Sequence, residues 1–233
     1  MIEIKNISKS YHSVEVLNIP ELFIGKGESI GLVGNNGAGK TTLFSLILDL
    51  IQPDEGEIML NGLQVHGHDG WKKFTTAFVD ESFLVGYLSP EEYFYFLGEL
   101  RGLNKMDVDA LISEYEDFFN GEVLSRQVYI RDLSKGNQKK VGIIGALIGN
   151  PEIIILDEPF SNLDPSTQIR LKNLITNLKQ KEDVALLVSS HDLAHTVETS
   201  DRIIALSKGR IVKDSLKTEE TLSELNSFFG VDF

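Results

Sequence analysis

Apolar positions along this chain fall into short strand-like runs and longer helix-like stretches that follow one another. The first residues alternate apolar and polar, and we interpret Ile2 to Leu22 as a small antiparallel β unit. Short apolar runs at Ser29 to Val33, Ile153 to Leu156 and Val184 to Val188 predict strands that are buried on both faces. Helical spacing of leucines over Thr42 to Leu50 predicts a helix directly after the first of these strands. This order is typical of an α/β fold.

The middle of the chain predicts a helical insertion from Tyr87 to Ile148. Ser89 followed by Pro90 is a helix start, because serine caps helix N-termini and proline suits the first helical position. We expect the dense aromatic side chains of this stretch to pack in a core, with a partner surface as the alternative. They are Tyr93, Phe94, Tyr95, Phe96, Tyr115, Phe118 and Phe119.

Two more helices are predicted in the C-terminal third, near Ser166 to Lys181 and within Thr218 to Phe233. The second of them carries a single apolar face, made of Leu222, Leu225, Phe228 and Phe229. We expect this face to pack on its own domain, and a dimer contact is the alternative.

Composition narrows the class of protein. The chain has 233 residues, 42% hydrophobic residues, no cysteine and a formal net charge of -13. These values favour one large domain without disulfides or thiolate metal sites, and an acidic surface argues against non-specific nucleic-acid binding. We also expect no secretory leader, and no apolar run reaches the ~20 residues that span a bilayer.

A glycine-rich loop follows the strand Ser29 to Val33 and precedes the predicted helix, in the pattern GxxxxGK[ST]. Such a loop points successive backbone N–H groups at phosphate oxygens, and the helix N-terminus adds positive potential. Lys40 is expected to reach the β- and γ-phosphates, and Thr41 to offer its hydroxyl to Mg²⁺. The predicted nucleotide-binding residues of the loop are Gly34, Asn35, Asn36, Gly37, Ala38, Gly39, Lys40, Thr41 and Thr42.

Catalytic groups are expected at the ends of two later strands. Asp157 and Glu158 end the apolar run from Ile153, and a P-loop ATPase needs a carboxylate there for Mg²⁺. Asp157 fits that role, and Glu158 is then placed to polarise the attacking water. His191 follows the next strand and could hydrogen-bond a transferring phosphoryl oxygen. The remaining histidines, His12, His66, His68 and His195, are predicted to be surface residues.

The ordered motifs resemble those of ATP-binding cassette (ABC) ATPases over nearly the whole chain. After the glycine loop come the helical insertion, Leu133-Ser134-Lys135-Gly136-Asn137, the acidic strand, Ser161-Asn162-Leu163-Asp164 and then His191. The resemblance implies a head-to-tail dimer that encloses two ATP molecules. It implies that Ser134 and Gly136 contact the γ-phosphate held by the other subunit. Asp164 would couple the two sites, and Tyr11 would stack on adenine.

This family pattern implies a single domain over 1–233. Residues 1–86 and 149–233 would form the β subdomain and a RecA-like P-loop core, and 87–148 the helical subdomain with its signature. Three features depart from the pattern. Lys135 and Asn137 replace a glycine and a glutamine, the glutamine that usually follows the strand Thr76 to Val79 is missing, and the C-terminus is too short for an additional β domain. Asp80 is taken as the glutamine's equivalent and a magnesium ligand, with Glu81 as the alternative.

The resemblance implies an ATPase subunit that uses ATP and Mg²⁺ to power a membrane transporter, peripheral on the cytoplasmic face. Its partners would be a separate transmembrane permease and a second ATPase subunit, identical or different. The compact length and the signature variant resemble ABC-2 exporters, while import and lipid extraction stay open. A soluble ABC ATPase acting on nucleic acid or ribosomes is the alternative, and a P-loop kinase or GTPase is a weaker one.

Overall fold

A computed structural model describes residues 1–125 and 128–230 and contains two β-sheets. The predicted ranges 87–148 and 218–233 each include residues outside this description. The first sheet is antiparallel and has the spatial order β2-β1-β4-β5. Its strands are β1 Ile2–Tyr11, β2 Val14–Ile24, β4 Glu55–Leu60 and β5 Leu63–Gln64.

The second sheet has the order β10-β9-β3-β8-β7-β6, and only its β9–β10 pair is antiparallel. Its strands are β3 Ser29–Val33, β6 Thr75–Phe78, β7 Ile153–Leu156, β8 Ala185–Ser190, β9 Arg202–Ser207 and β10 Arg210–Leu216. Because β3, β6, β7, β8 and β9 run in parallel, their carboxyl ends meet at one edge of the sheet. Ligands of open α/β sheets bind at that edge.

Eight α-helices connect or cover the strands within the described residues, and none of them is both long enough and apolar enough to cross a bilayer. They are α1 Lys40–Ile47, α2 Pro90–Leu100, α3 Lys105–Glu114, α4 Glu116–Phe119, α5 Lys135–Gly145, α6 Pro165–Lys179, α7 Leu193–Thr199 and α8 Thr221–Phe229. The predicted alternation of strands and helices is confirmed. Helix α1 ends earlier than predicted, because Asp49 adopts a left-handed φ of 52° and Leu50 is exposed.

Local sequence signals explain where helix α2 begins. Ser89 accepts a hydrogen bond from the backbone N–H of Glu92 at 3.2 Å, and the Glu92 carboxylate accepts one from the Ser89 N–H at 2.8 Å. This capping box, with Pro90 at the first position, satisfies N–H groups that would otherwise lack partners. The predicted helix start is confirmed.

The core lies on both faces of the second sheet. Alternate residues of β7 divide between the two sides, with Ile153 and Ile155 facing the antiparallel sheet and α1. Ile154 and Leu156 instead join the cluster formed with α2 to α6. The prediction of strands buried on both faces is therefore confirmed.

Most of the aromatic side chains of the helical insertion belong to this second core. Phe94, Phe118 and Phe119 are buried, and the rings of Phe94 and Phe119 lie 5.8 Å apart. Phe96 is exposed. The core prediction is thus confirmed for the buried members.

The C-terminal helix α8 packs on its own domain, as predicted. Leu225 is buried with residues of β3, α7 and β9, and Leu222 and Phe229 pack against the same cluster. Phe228 is exposed.

Candidate functional site

The glycine loop lies at the carboxyl end of β3 and runs directly into α1. Gly39, the residue before the helix, has a φ of 107°, and an added Cβ would come within 3.1 Å of the Val16 carbonyl oxygen. Only glycine fits this close approach of the loop to β2 without strain. The loop turns with Ala38 N–H donating to Asn35 at 3.0 Å. Asn35 and Asn36 are exposed, and Thr42 is half-buried.

The Lys40 side chain folds back over this loop. Its ammonium donates to the Gly34 carbonyl oxygen at 2.7 Å and lies 3.5 Å from the Glu158 carboxylate. The residue is only 7% exposed, so the ammonium is held at the loop by these two partners. A cation in this position is suited to bind phosphate oxygens.

Asp157 joins the loop to the end of β7. The Thr41 hydroxyl donates to the Asp157 carboxylate at 2.7 Å, and the Ser189 hydroxyl donates to its other oxygen. Burial raises the pKa of Asp157, while the Ser189 and Thr41 hydrogen bonds oppose that shift. A buried carboxylate that is only partly compensated by hydroxyl donors is suited to a cation.

The oxygen donors present fit a magnesium ion. Mg²⁺ prefers carboxylate, hydroxyl and water oxygens, and commonly uses one or two protein ligands together with substrate phosphates. Asp157 and Thr41 provide such a pair, one hydrogen bond apart. In the part of the chain that the structure describes, no group of three or more histidine or carboxylate side chains is arranged to hold a metal ion.

Glu158 adopts a left-handed backbone conformation with a φ of 46°. For a residue with a Cβ this conformation costs free energy and persists only where neighbours hold it. The Glu158 N–H donates to the Ser189 hydroxyl at 2.8 Å, and the Glu158 carboxylate lies 2.8 Å from Nδ1 of His191. Glu158, His191 and Lys40 therefore meet at one point beside the glycine loop.

A buried lysine forms hydrogen bonds with the turn from Glu158 to Ser161. Lys139 of α5 donates to the carbonyl oxygens of Glu158 at 3.0 Å and Ser161 at 2.9 Å, and to the Ser161 hydroxyl at 2.6 Å. The Glu81 carboxylate lies 3.6 Å from the Lys139 ammonium. Asp80 is exposed, and its carboxylate accepts a hydrogen bond from the Ser82 N–H at 2.8 Å. The geometry thus links Glu81, through Lys139, to the turn from Glu158 to Ser161, which we call the catalytic turn because it begins at the predicted base. Asp80 as a magnesium ligand stays a prediction.

The signature segment begins helix α5. Ser134 is the N-cap residue, and its hydroxyl accepts a hydrogen bond from the Asn137 N–H at 3.3 Å. A Cβ on Gly136 would lie 3.6 Å from the Asn162 carbonyl oxygen, so the signature packs beside the segment that carries Asp164. The helix N-terminus and its exposed serine form a surface that favours an anion.

Asp164 caps helix α6. Its carboxylate accepts hydrogen bonds from the backbone N–H and hydroxyl groups of Ser166 and Thr167, and these bonds hold its pKa well below the usual range. The carboxylate is therefore ionised across the physiological pH range. Its predicted role between subunits stays a prediction.

Tyr11 lies at the tip of the β1–β2 hairpin. Its ring is 45% exposed, and the Lys9 ammonium lies 5.6 Å from the ring centre. Tyr11 pairs with Val14, two residues before the Val16 carbonyl that approaches Gly39. The hairpin tip therefore borders the glycine loop, and an exposed ring there is available for stacking.

Sequence reasoning missed two residues that shape this site, Ser189 and Lys139, and it named Glu81 only as an alternative to Asp80. Ser189 contacts both Asp157 and Glu158, and the Glu81–Lys139 pair supports the catalytic turn. The available signal was the polar end of the strand at Ser189 and a lysine next to the apolar run that begins at Val141 of α5. The prediction of His195 as a surface residue was wrong: its ring stacks on Phe160 at 4.8 Å between centres. Phe160 covers one face of the ring, and the His195 side chain is 17% exposed.

A parallel sheet with this loop after β3 and paired carboxylates after β7 defines a P-loop nucleotide-binding domain. Residues 17–161 match the family model described as ABC transporter, and the chain belongs to that family. It is an ATPase, the ATP-binding subunit of an ABC transporter.

Individual relatives agree with this assignment. The ABC transporter ATP-binding protein YhaQ of Bacillus subtilis is 33% identical over 240 residues, covering 99% of this chain and 74% of YhaQ. The sulfate/thiosulfate import ATP-binding protein CysA of Pectobacterium atrosepticum is 32% identical over 90% of this chain and 64% of CysA. The dimeric post-hydrolysis structure of the ATP-binding cassette MJ0796 with ADP and Pi aligns with a TM-score of 0.83. It is 24% identical over 94% of this chain and 99% of that chain, which shows a shared fold.

Proposed function

We propose that this subunit hydrolyses ATP with Lys40 and the glycine loop on the phosphates and Glu158 as the general base. The observation that carries the proposal is the meeting of Lys40, Glu158 and His191 beside the Thr41–Asp157 pair. A carboxylate at this place can accept a proton from the attacking water, and His191 can hydrogen-bond a phosphoryl oxygen.

The two contacts of Lys40 suggest how nucleotide binding prepares the base. The Lys40 ammonium contacts both the Gly34 carbonyl oxygen and the Glu158 carboxylate. Phosphate oxygens carry more negative charge than a carbonyl oxygen and compete for this ammonium. Binding of the triphosphate therefore draws Lys40 from Glu158 and leaves that carboxylate free to orient water.

We propose Mg²⁺ as the metal, with Thr41 and Asp157 as its protein ligands and Asp80 as a further candidate. When bound, the ion would neutralise charge that develops on the phosphates. The Thr41–Asp157 hydrogen bond keeps the two oxygen donors together in its absence. The raised pKa of Asp157, caused by burial, is the cost that a cation would offset.

We propose that two subunits work as a head-to-tail dimer. The exposed N-terminus of α5, with Ser134 and Gly136, suits an anion held by a second subunit. Asp164 lies beside it and would connect the two sites. Dimers occur in the related solved cassette named above.

A membrane permease is the proposed partner of a surface made of Phe83, Val85, Tyr87, Tyr129 and Arg131. These residues lie in the proposed helical subdomain 87–148 or directly before it. Phe83, Val85 and Tyr87 are large exposed side chains in one segment. The Arg131 guanidinium lies 4.5 Å from the ring centre of Tyr87 and 5.3 Å from that of Tyr129. Such an exposed aromatic surface is typical of a protein contact. The subunit would sit on the cytoplasmic face of the membrane through this contact.

For the direction of transport we propose export, of the ABC-2 type. The support is the signature variant with Lys135 and Asn137 and its resemblance to such exporters. CysA is named as an import protein, so the test must discriminate between the two directions. Inverted membrane vesicles that contain the subunit and its permease should accumulate fluorescent drugs when ATP is added outside. Import would instead appear as ATP-dependent uptake into vesicles of the native orientation that are loaded with ATP.

Glu158→Gln tests the hydrolytic part of the proposal. The variant keeps the size of the side chain but removes the base, so ATP should bind with near-normal affinity and turnover should stop. Size-exclusion chromatography should then show an ATP-dependent dimer. Hydrolysis at the wild-type rate in Glu158→Gln would rule out Glu158 as the base.

A paired substitution tests the permease contact. Tyr87→Asp should abolish co-purification of a multi-span membrane protein from native membranes. Leu216→Asp is the matched control, because Leu216 is similarly exposed on β10, away from the proposed surface. Recovery of ribosomal proteins without a membrane protein would contradict the transporter role while leaving the ATPase role in place.

A further inference from the structure

Two adjacent lysines of helix α5, Lys139 and Lys140, are both buried. Lys140 pairs with Glu122 at 2.7 Å, a contact that ties α5 to the loop after α4. Lys139 points to the other side, to the turn that begins at the general base. A buried ammonium is costly unless it is fully hydrogen-bonded, so its partners are informative.

All three N–H donors of Lys139 are used within one turn. They go to the carbonyl oxygens of Glu158 and Ser161 and to the Ser161 hydroxyl. The Ser161 hydroxyl in turn donates to the Glu158 carbonyl oxygen at 2.9 Å. These bonds restrain the backbone of Glu158. Its φ of 46° is unfavourable for a residue with a Cβ and persists only where neighbouring groups hold it.

Glu81 supplies the counter-charge. Its carboxylate lies 3.6 Å from the Lys139 ammonium. Burial lowers the pKa of Lys139, and the charge of Glu81 is the main interaction that opposes this shift. Glu81 begins the 3₁₀ turn Glu81–Phe83 after β6, and that turn leads into the exposed Phe83. One ion pair therefore connects the proposed permease surface to the catalytic turn.

We propose that Lys139 is a positioning residue that holds Glu158 in its catalytic conformation, and that Glu81 holds Lys139 there. Movement of the loop after β6 then reaches the general base through a single ammonium group. This inference rests on the proposed function, in which Glu158 is the base, and it assigns to the Glu81–Lys139 pair the link between permease and hydrolysis.

The first test compares Lys139→Met with Lys140→Met, a matched loss of a neighbouring buried lysine. Lys139→Met should lower kcat for ATP about 10- to 100-fold, the cost of a misplaced catalytic group, with KM unchanged. Lys140→Met should lower thermal stability without this fall in kcat. Lys139→Gln, which keeps two N–H donors without a charge, should restore part of kcat. A folded Lys139→Met variant with wild-type kcat would overturn the proposal.

A double-mutant cycle tests the role of Glu81. Glu81→Gln should lower kcat when Lys139 is present and have no further effect in Lys139→Met, because the pathway is already broken. Equal effects of Glu81→Gln in both backgrounds would overturn the proposed link. If wild type and Glu158→Gln hydrolyse ATP equally, Glu158 is not the base and the proposed function fails. The contacts of Lys139 are then tested by a measurement that does not depend on ATP turnover.

That measurement is NMR of the full chain with ¹⁵N-labelled lysine. A buried ammonium with three acceptors should give a side-chain signal protected from exchange, absent in Lys139→Met and shifted in Glu81→Gln. Absence of a protected Lys139 signal in the wild type would overturn the proposal independently of any ATPase activity.

Discussion

Replacing Lys40 with methionine tests the phosphate-binding assignment most directly. Methionine keeps the length and packing of the side chain and removes only the ammonium. That ammonium donates a hydrogen bond to the Gly34 carbonyl oxygen at 2.7 Å and lies 3.5 Å from the Glu158 carboxylate. Both contacts disappear in Lys40→Met, and so does the proposed contact with the β- and γ-phosphates.

The expected loss of affinity follows from the difference between these contacts. A hydrogen bond to a charged group contributes about 1.5–3 kcal/mol. At about 1.4 kcal/mol per factor of ten, the phosphate contact alone accounts for about 10- to 150-fold in affinity. The Gly34 and Glu158 contacts that Lys40 gives up offset part of this gain in the wild type. We therefore expect a net weakening near the lower limit, about tenfold.

Isothermal titration calorimetry with a non-hydrolysable ATP analogue, ADP and AMP measures this effect. The loss should be largest for the triphosphate, smaller for ADP and absent for AMP, because Lys40 is assigned to the β- and γ-phosphates. Lys172→Met is the control, since Lys172 pairs with Glu198 on the α6 surface. An unchanged triphosphate affinity in folded Lys40→Met, or an equal loss for AMP, would refute the assignment.

Three further predictions concern stability and adenine binding. Gly142→Ala should lower the free energy of unfolding in urea by up to about 2 kcal/mol: its Cβ would lie 2.3 Å from the Phe78 ring, and overpacking of about 1–3 kcal/mol exceeds the helix-propensity gain of about 1 kcal/mol. Asp157→Asn should unfold at a higher urea concentration than wild type near pH 7, because burial raises the pKa of Asp157 and its ionised form therefore lowers the stability of the fold. Urea unfolding measured at several pH values should show this difference vanishing below about pH 4, where the wild-type carboxyl is protonated in both states. Tyr11→Ala should weaken ATP binding by about 1–3 kcal/mol in calorimetry while Tyr11→Phe retains it, and equal losses would exclude stacking.

The parts of the fold that could be predicted are those that depend on residues close together in the sequence. The capping box at Ser89, the buried strand Ile153–Leu156 and the glycine loop each carry their signal within about ten residues, the range over which helix and strand patterns act. The clustering of Lys40, Asp157 and Glu158 was also predictable in outline, because carboxyl ends of parallel strands share an edge.

Contacts between distant segments could not be predicted in this way. Glu81 and Lys139 come from a loop and a helix far apart in the chain, and only the packing of α5 on β6 brings their charges together. The same holds for the stacking of His195 on Phe160. Nothing in the local pattern at Glu158 predicts its left-handed φ either, because a bond network from other segments imposes it.

In the proposed mechanism, the Lys40–Glu158 ion pair gives Lys40 two consecutive contacts, first with Glu158 and then with phosphate. While Lys40 lies 3.5 Å from Glu158, its ammonium occupies one carboxylate oxygen of the proposed base. In the proposed mechanism, a triphosphate that attracts Lys40 frees this oxygen for the attacking water. His191, 2.8 Å from the other oxygen of Glu158, keeps the carboxylate oriented during this exchange. The proposed mechanism thereby couples substrate binding to release of the base through a single ammonium group.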